Sequence, residues 1–244
     1  MTKRRDLGNV IAHLPARGGS KRVPSKNLRY LAGQPMLAYA LRTALECADF
    51  SAVYVNTESD SIAALARELG ALIYRRKTNL ASDAATSDQF NFDIIDALNP
   101  DTLVMINPVC PLLRPDDIEG ALEAYRRRDA DTLISTSATR LQCFYRDQPV
   151  NIDLNAQLAA TQHNEPVHVC NWAITIWDAH RFRDRYNRRG FAVFGQRRIL
   201  HSIPPLRGLK ISTEADFRMA DLILRALRDE TGGPTGVQYW SQLH

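Results

Sequence analysis

Cysteine is scarce in this sequence. Four cysteines occur among 244 residues, and no two of them have the C-x-x-C spacing of a metal-binding or redox pair. The pattern excludes a disulfide scaffold and a structural zinc module as the organising feature of the chain. It is typical of a reducing compartment, so we expect a cytoplasmic protein. The four residues are Cys47, Cys110, Cys143 and Cys170.

Long apolar runs are also missing. The first six residues, Met-Thr-Lys-Arg-Arg-Asp, lack the apolar stretch of a secretory signal. No later run reaches the roughly 18 apolar residues that a membrane-spanning helix needs. We therefore expect no membrane partner.

Charge of one sign is not concentrated anywhere in the chain. The net charge of +4 comes from 31 basic and 27 acidic residues. The basic surplus forms several short clusters, and no basic patch is interleaved with aromatic residues as a nucleic-acid surface would be. A nucleic-acid partner is not expected, and a small anionic substrate accounts for part of the surplus.

Alternating strands and amphipathic helices fill the first 137 residues. Apolar segments at 10–14 and 102–106 predict central strands of a parallel sheet. Apolar residues recur on one helix face in 37–48 and in 118–125. Strands separated by helices of about 10–15 residues predict right-handed βαβ units, and therefore an α/β fold with a doubly wound, mostly parallel sheet.

The later part of the chain is less regular. Periodicity fades after residue 141, and a strand at 173–176 returns to the sheet. The basic stretch 181–198 is expected to cover the site or to contact a second subunit, and 211–214 to end a strand and cap a last helix. The predicted organisation is one domain over residues 1–230, with an insertion at 141–170 and a C-terminal tail at 231–244.

Residues 15–27, P-A-R-G-G-S-K-R-V-P-S-K-N, are the most informative segment. They follow the predicted strand at 10–14, and two glycines and a serine let the backbone N–H groups approach an anion. The spacing differs from that of the ATPase P-loop and from the dinucleotide-binding glycine motif. The segment predicts a cradle for a nucleoside triphosphate. Its cations are Arg17, Lys21, Arg22 and Lys26.

The run A-R-G-G-S-K-R-V-P-S-K-N resembles the N-terminal signature of the sugar cytidylyltransferases, the acylneuraminate cytidylyltransferase family that includes CMP-sialic acid and CMP-pseudaminic acid synthetases. Residues 76–87, R-K-T-N-L-A-S-D-A-A-T-S, resemble the family element R-P-x-x-L-A-S-D-x-A-x-S. The resemblance implies a Rossmann-like nucleotidyltransferase. Such an enzyme transfers CMP from CTP to a hydroxyl group of a sugar or sugar-acid acceptor, releases pyrophosphate and supplies activated sugars for surface glycans.

The resemblance also implies an assembly. In this family the region that corresponds to residues 141–170 forms a protruding dimerisation arm, and a neighbouring subunit completes the sugar site. We therefore expect a homodimer or a homotetramer.

Residue roles follow from the resemblance at matching positions. Arg17 and Lys21 match phosphate-binding positions, Lys26 matches the lysine at the reacting α-phosphate, and Asn27 matches the residue at the ribose. Nucleotidyl transfer depends mainly on positioning and charge neutralisation, worth roughly 10²–10³-fold per well-placed donor. Further nucleotide-binding candidates are Leu14, Ala16, Gly18, Gly19 and Ser20.

Residues 76–87 are expected to form the cytosine site. By position, Arg76, Ala85 and Ser87 border the base in the resembled family. Residues 83–87 also have the composition of a capped helix start, and both interpretations can hold together.

The metal site departs from the family pattern. The resembled enzymes hold Mg²⁺ with an Asp-x-Asp before the last helix, where this chain has Lys210 and Ser212. We expect Mg²⁺ as a cofactor that arrives with CTP, with its protein ligands unidentified. Lys210 is a catalytic candidate that would neutralise phosphate in place of the metal, and the alternative is an ordinary surface lysine.

The acceptor site departs further. Asn107 replaces a sugar-contacting glutamine, and the arginine pair that meets the acidic sugar corresponds to Gln162 and Val169. Loss of both guanidinium groups argues against N-acetylneuraminate itself as the acceptor. The alternative is a catalytically degenerate nucleotide-binding homologue that has lost turnover with its metal carboxylates. The candidate acceptor-binding residues are Asn107, Gln162, His163 and Asn171.

Overall fold

The computed structural model describes residues 4–229. Its strands are β1 Val10–Pro15, β2 Tyr30–Leu31, β3 Gln34–Pro35, β4 Ala52–Thr57, β5 Leu72–Arg75, β6 Thr102–Ile106, β7 Thr132–Thr139, β8 Phe144–Tyr145, β9 Gln148–Pro149, β10 Val167–Asp178 and β11 Arg198–Ser202. Its α-helices are α1 Met36–Leu45, α2 Asp60–Glu68, α3 Ser87–Leu98, α4 Pro115–Arg126, α5 Ala179–Arg189 and α6 Glu214–Asp229.

Seven strands form one sheet in the order β11-β7-β10-β6-β1-β4-β5. Strand β10 runs antiparallel to its neighbours β6 and β7, and the other pairs in this sheet are parallel. The predicted α/β fold with a doubly wound, mostly parallel sheet is confirmed. Because the chain leaves β1 toward β4 on one side and later places β6 on the other, the strand order reverses at β1.

Helices cover both faces of the sheet, so β1 is apolar almost throughout. Leu14 packs in the same cluster as Leu37 and Leu41 of α1, whereas Ile11 packs in the opposite cluster with Ile94 of α3. A strand buried on both faces reads as a continuous apolar run, which is why β1 and β6 are recognisable from sequence. His13 interrupts that run and is fully buried.

The second half of the chain differs from the sequence expectation at β10 and at Ile211. The basic stretch at 181–198 is helix α5 followed by a loop and the start of β11. Strand β10 has twelve residues, because it continues along β7 beyond the segment 173–176. No strand ends at Ile211, although its N–H donates to the carbonyl of Val109 at 2.9 Å. Thr213 does cap α6, since its hydroxyl accepts a hydrogen bond from the N–H of Asp216 at 3.2 Å.

Residues 140–166 form an irregular insertion between β7 and β10. Its base is closed by Asn164, whose side chain donates to the carbonyl of Arg140 at 2.9 Å. Leu141, Tyr145 and Leu158 each leave more than half of their surface exposed. The predicted tail at 231–244 lies outside the described residues.

Two expected absences can be examined over residues 4–229. No helix in this part of the chain combines the length and apolar character needed to cross a membrane. All four cysteines are free thiols. Burial raises the pKa of the Cys110 thiol to about 12, so this group is a poor nucleophile at neutral pH.

Candidate active site

A cleft of about 860 Å³ opens at the carboxyl ends of β1 and β6, where the strand order reverses. Three loops meet there: residues 15–27 after β1, 76–87 after β5, and 107–109 after β6. The sequence-predicted residues that line the cleft are Arg17, Gly19, Ser20, Lys21, Lys26, Asn27, Arg76, Ala85, Ser87, Asn107 and Lys210.

Two cations of the glycine loop share one carboxylate. Asp83 Oδ1 lies 2.8 Å from Arg17 Nη1, and Asp83 Oδ2 lies 2.5 Å from Lys21 Nζ. Hydrogen bonds from Lys21 and Arg17 hold the pKa of Asp83 below its usual range. All three side chains are substantially exposed to solvent, so these ion pairs are weak and can exchange for another anion.

Two hydrogen bonds fix the backbone of the glycine loop. The N–H of Gly18 donates to Glu58 Oε1 at 2.7 Å, and the side chain of Asn27 donates to the carbonyl of Arg17 at 3.0 Å. Leu14 and Ala16 are fully buried and do not line the cleft. These four predicted nucleotide-site residues therefore shape the loop, and of them only Asn27 also borders the cleft.

Arg76 also lines the cleft, and hydrogen bonds hold its side chain in place. Its Nε donates to Asn56 Oδ1 at 2.8 Å and its Nη2 donates to the Asn56 carbonyl at 2.9 Å. The guanidinium carbon lies 4.8 Å from the centre of the Phe90 ring. Burial lowers the pKa of Arg76 to about 10, and the side chain stays charged at neutral pH. Arg76 is thus a fixed donor at the cleft.

Helix α3 begins at the end of the loop 76–87, which also carries Arg76. The Thr86 hydroxyl accepts from the N–H of Gln89 at 3.3 Å, and the Gln89 side chain accepts from the N–H of Thr86, which is a capping box. The capped helix start read from the sequence is therefore present. Ser87 occupies its first turn and lines the cleft, and its hydroxyl accepts a hydrogen bond from Asn91 Nδ2 at 3.0 Å.

Lys26 lies at the junction of the glycine loop and the segment before α6. Its Nζ donates to the carbonyl of Ile211 at 2.8 Å. Burial lowers the pKa of Lys26, and the nearby charges of Arg22 and Lys210 lower it further. Because a third cation raises the cost of keeping Lys26 charged, this end of the cleft is suited to an anion that neutralises them.

The described residues do not offer a carboxylate cage for a metal ion. No group of three or more His, Cys, Asp and Glu side chains with suitable placement occurs between residues 4 and 229. Two carboxylates line the cleft: Asp83, in its exposed ion pairs with Arg17 and Lys21, and Asp88. Outside the lining, Asp216 Oδ2 accepts from the N–H groups of Ser212 and Thr213 at 2.9 and 2.8 Å. Asp88 Oδ1 accepts from the N–H of Val193 at 2.8 Å. The described residues therefore supply no closed protein cage for Mg²⁺, whereas an ion carried by a triphosphate needs only one or two carboxylates.

Two aromatic residues at the cleft, Trp172 and Phe194, were not among the individually predicted site residues, although Phe194 belongs to the stretch 181–198 that was expected to cover the site. Both line the cleft and pack edge to face, with ring centres 5.5 Å apart. Asn107 is fixed to the same strand, since its side chain donates to the Trp172 carbonyl at 3.2 Å and its N–H donates to the Ala173 carbonyl. Trp172 adopts a left-handed φ of 59° at a bulge in β10. The sequence offered one signal for Trp172, namely an aromatic residue directly after the acceptor candidate Asn171.

Three of the four candidate acceptor residues lie away from the cleft of this chain. Gln162 and His163 sit on an exposed turn of the insertion. Asn171 is buried, and its Oδ1 accepts from Ser135 Oγ at 2.6 Å and from the Ala173 N–H at 3.1 Å. Its polar atoms are committed to holding the bulge, so of the four only Asn107 lines the cleft.

Comparison with known proteins gives consistent findings. The sequence model of the family described as Cytidylyltransferase matches residues 11–184. The CMP-N,N'-diacetyllegionaminic acid synthase of Legionella pneumophila is 28% identical over 88% of this chain and 96% of its own length. The N-acylneuraminate cytidylyltransferase of Oncorhynchus mykiss is 33% identical over 52% of this chain, but the match spans only 30% of that relative.

Solved structures show a similar fold at low sequence identity. A CMP:2-keto-3-deoxy-manno-octonic acid synthetase complexed with CTP superposes with a TM-score of 0.67 at 19% identity, over 91% of this chain and 99% of that one. The 4-diphosphocytidyl-2C-methyl-D-erythritol synthase of Anaerococcus prevotii gives a TM-score of 0.62 at 14% identity, over 90% and 97%.

Proposed function

The chain belongs to the cytidylyltransferase family, and from that premise we propose that it transfers CMP from CTP to a hydroxyl group of a sugar or sugar-acid acceptor, with release of pyrophosphate. One observation carries the proposal: the cations Arg17, Lys21 and Lys26 and the rigid donor Arg76 border a single cleft at the strand-order reversal. An enzyme that uses CTP has to bind a triphosphate and a pyrimidine in one site. This cleft offers cations for the triphosphate and a fixed donor for the pyrimidine.

In the proposed reaction the oxygen of the acceptor hydroxyl attacks the α-phosphorus in line and gives up its proton to water. The bond between the α-phosphorus and the bridging oxygen of the β-phosphate breaks, and pyrophosphate leaves with that electron pair. Arg17 and Lys21 would hold the β- and γ-phosphates after releasing Asp83, and Lys26 would neutralise the charge that develops at the α-phosphate. Asn27 is proposed at the ribose, and Ala85 and Ser87 at the base.

Magnesium is proposed as part of the substrate. The described residues supply no closed cage of three or more ligands for it, and Mg²⁺ readily binds triphosphate while keeping several waters. Lys210 lines the cleft close enough to Lys26 to lower its pKa. We propose that Lys210 contacts the phosphates at the position where the resembled enzymes carry a metal-binding aspartate.

The acceptor is proposed to be a sugar or a sugar acid. The relatives are named for legionaminic acid, N-acylneuraminate and 2-keto-3-deoxy-manno-octonic acid, which are acidic sugars. Asn107, Trp172 and Phe194 form the end of the cleft where such an acceptor would lie. The product would be an activated sugar for a surface glycan, made in the cytoplasm.

The insertion is proposed as a dimer contact. Its apolar side chains Leu141, Tyr145 and Leu158 are exposed in the isolated chain. In a dimer or tetramer, Gln162 and His163 would then be available to the neighbouring subunit's cleft. Size-exclusion chromatography with light scattering tests this: a wild-type monomer at micromolar concentration would contradict it.

The activity test is pyrophosphate release from CTP and MgCl₂ with a panel of acceptors: nonulosonic acids, octulosonic acids, neutral sugars and amino sugars. Release is expected with at least one acidic sugar. The Lys26→Ala variant should lower kcat by roughly 10²–10³-fold while CTP binding changes much less. Arg127→Ala, a change at an exposed cation at the end of α4 and outside the cleft, is the matched control.

The outcomes are distinct. CTP binding without release for any acceptor would favour a catalytically degenerate homologue. No detectable CTP binding would refute the proposed function, and equal losses of kcat and CTP affinity in Lys26→Ala would contradict the role of that lysine.

A further inference from the structure

A second cavity, of about 540 Å³, is lined by helix α5, by the loop after it and by the start of β7. It shares no lining residue with the cleft, and the roles proposed above do not use it. Two aspartates and five arginines line it, so we name it the arginine cavity. The arginines are Arg181, Arg185, Arg188, Arg189 and Arg197.

Two of these arginines form the frame of the cavity. Arg181 Nη1 lies 2.9 Å from Asp129 Oδ1 and 3.0 Å from Asp131 Oδ1, and Arg197 pairs with the same two carboxylates. Asp131 Oδ2 also accepts from the backbone N–H groups of Gln196 and Arg197 at 2.9 and 3.1 Å. Asp129 and Asp131 therefore neutralise this pair and fix the loop against the start of β7.

The other three arginines have no carboxylate partner among residues 4–229. Arg188 Nε donates to the backbone carbonyl of Asp184 at 3.2 Å, and the guanidinium carbon of Arg185 lies 5.6 Å from the centre of the Phe191 ring. The Asp184 side chain, which also lines the cavity, is the one carboxylate set against these three guanidinium groups within the described lining. Because Arg185, Arg188 and Arg189 are three and four residues apart on one helix, they repel one another unless an anion lies between them.

The floor of the cavity holds a further unpaired donor. Thr132, the first residue of β7, is fully buried, and its hydroxyl has no hydrogen-bond partner. Gly195 adopts a left-handed φ of 58° against it, and a Cβ at that position would lie 2.5 Å from the hydroxyl oxygen. Since buried polar atoms are nearly always paired, an unpaired hydroxyl beside unpaired guanidinium groups is what a site for an oxyanion contains.

We propose that the arginine cavity is a second anion site, which binds a small oligophosphate such as pyrophosphate away from the cleft. The guanidinium fork matches the oxygens of a phosphate group, and several forks around one cavity suit linked phosphate groups better than a single one. A concave site also favours a compact anion over a nucleic-acid backbone, which needs an extended basic surface. The inference stands apart from the proposed reaction, although pyrophosphate is a product of that reaction.

Calorimetry with sodium pyrophosphate, without Mg²⁺, tests the site. The titration uses the Arg17→Ala/Lys21→Ala protein, which lacks two phosphate-binding candidates of the cleft, and it should still show a single pyrophosphate site. Adding Arg185→Gln/Arg188→Gln should weaken that binding at least tenfold, because charge-assisted hydrogen bonds are lost.

A matched control separates the site from the overall charge of the protein. Arg42→Gln/Arg67→Gln, in the same background, removes the same charge at two exposed helix arginines that line neither cavity, and it should leave the affinity nearly unchanged. Equal weakening by the two double variants would overturn the inference. Tighter binding of a single-stranded oligonucleotide than of pyrophosphate at the same salt concentration would also overturn it, and would assign this surface to nucleic acid.

Hydrogen exchange of the wild-type protein gives the location directly. Pyrophosphate should slow exchange in peptides that cover residues 185–197, because an anion held by α5 and the loop opposes their separation. Slowed exchange in residues 15–27 alone would overturn the inference and leave the proposed function intact. Slowed exchange in 185–197 alone would support the inference and contradict the phosphate-binding roles of Arg17 and Lys21, so the two proposals fail separately.

Discussion

Replacing His13 should make the folded state less sensitive to acid. His13 is fully buried on β1, and its pKa falls from 6.5 to about 3, mainly because burial penalises the charged ring. Between these two values the unfolded chain binds a proton that the folded chain does not, so stability rises with pH. Between pH 5.5 and pH 7.5 this single group should change the free energy of unfolding by about 1.4 kcal/mol.

Urea denaturation at pH 5.5, 6.5 and 7.5 measures the effect. The wild type should lose about 1.4 kcal/mol more than His13→Leu or His13→Gln on going from pH 7.5 to pH 5.5. Comparing proteins at each pH cancels the contributions of all other titrating groups. Wild-type and variant stabilities that fall in parallel would refute the reasoning, because the imidazole would then have to accept its proton equally well in the folded chain.

Three further predictions concern other positions. Gly195→Ala should lower the free energy of unfolding by more than the roughly 1–2 kcal/mol that a left-handed backbone costs, because the new Cβ would lie 2.5 Å from a threonine hydroxyl. Gly190→Ala is the control in urea denaturation, since Gly190 also has a left-handed backbone but its Cβ would meet open space. Asp83→Asn should tighten CTP binding a few-fold at low salt in calorimetry, since two cations lose their competing anion. Arg76→Lys should weaken CTP binding at least tenfold in the same assay, because an ammonium cannot keep both hydrogen bonds to Asn56.

Contrary results are easily stated. Equal melts for the two glycine variants would show that the contact at Gly195 relaxes freely. Weaker CTP binding by Asp83→Asn would mean that the carboxylate orders the loop more than it competes. Unchanged affinity in Arg76→Lys would remove Arg76 from the base site.

The phosphate side of the cleft could be predicted because its chemistry is local in sequence. A strand, a glycine turn and closely spaced cations fall within residues 10–27, so Arg17, Lys21 and Lys26 were identifiable without tertiary information. The α/β class with a mostly parallel sheet followed from the alternation of strands and helices, whereas the strand order, with the antiparallel β10 between β6 and β7, did not. The features that could be predicted depend on neighbours along the chain.

The acceptor side could not be predicted, because it depends on contacts across the sheet. Trp172 reaches the cleft only through a bulge in an antiparallel strand, and Phe194 arrives from the loop after α5. Asn171 was a reasonable candidate by composition, but hydrogen bonds to β7 engage its side chain.

The bulge in β10 also affects which changes of sequence the protein can tolerate during evolution. The strand runs from the insertion at Val167 past the cleft at Trp172 into the core at Asp178. Asn171 locks the register there by donating to Ser137 Oγ at 3.1 Å and accepting from Ser135. Length changes before that lock need not shift Trp172, so the insertion can diversify its contacts while the cleft keeps its geometry. The insertion surface and the cleft are therefore joined by one strand, but a change of length in the insertion need not alter the cleft.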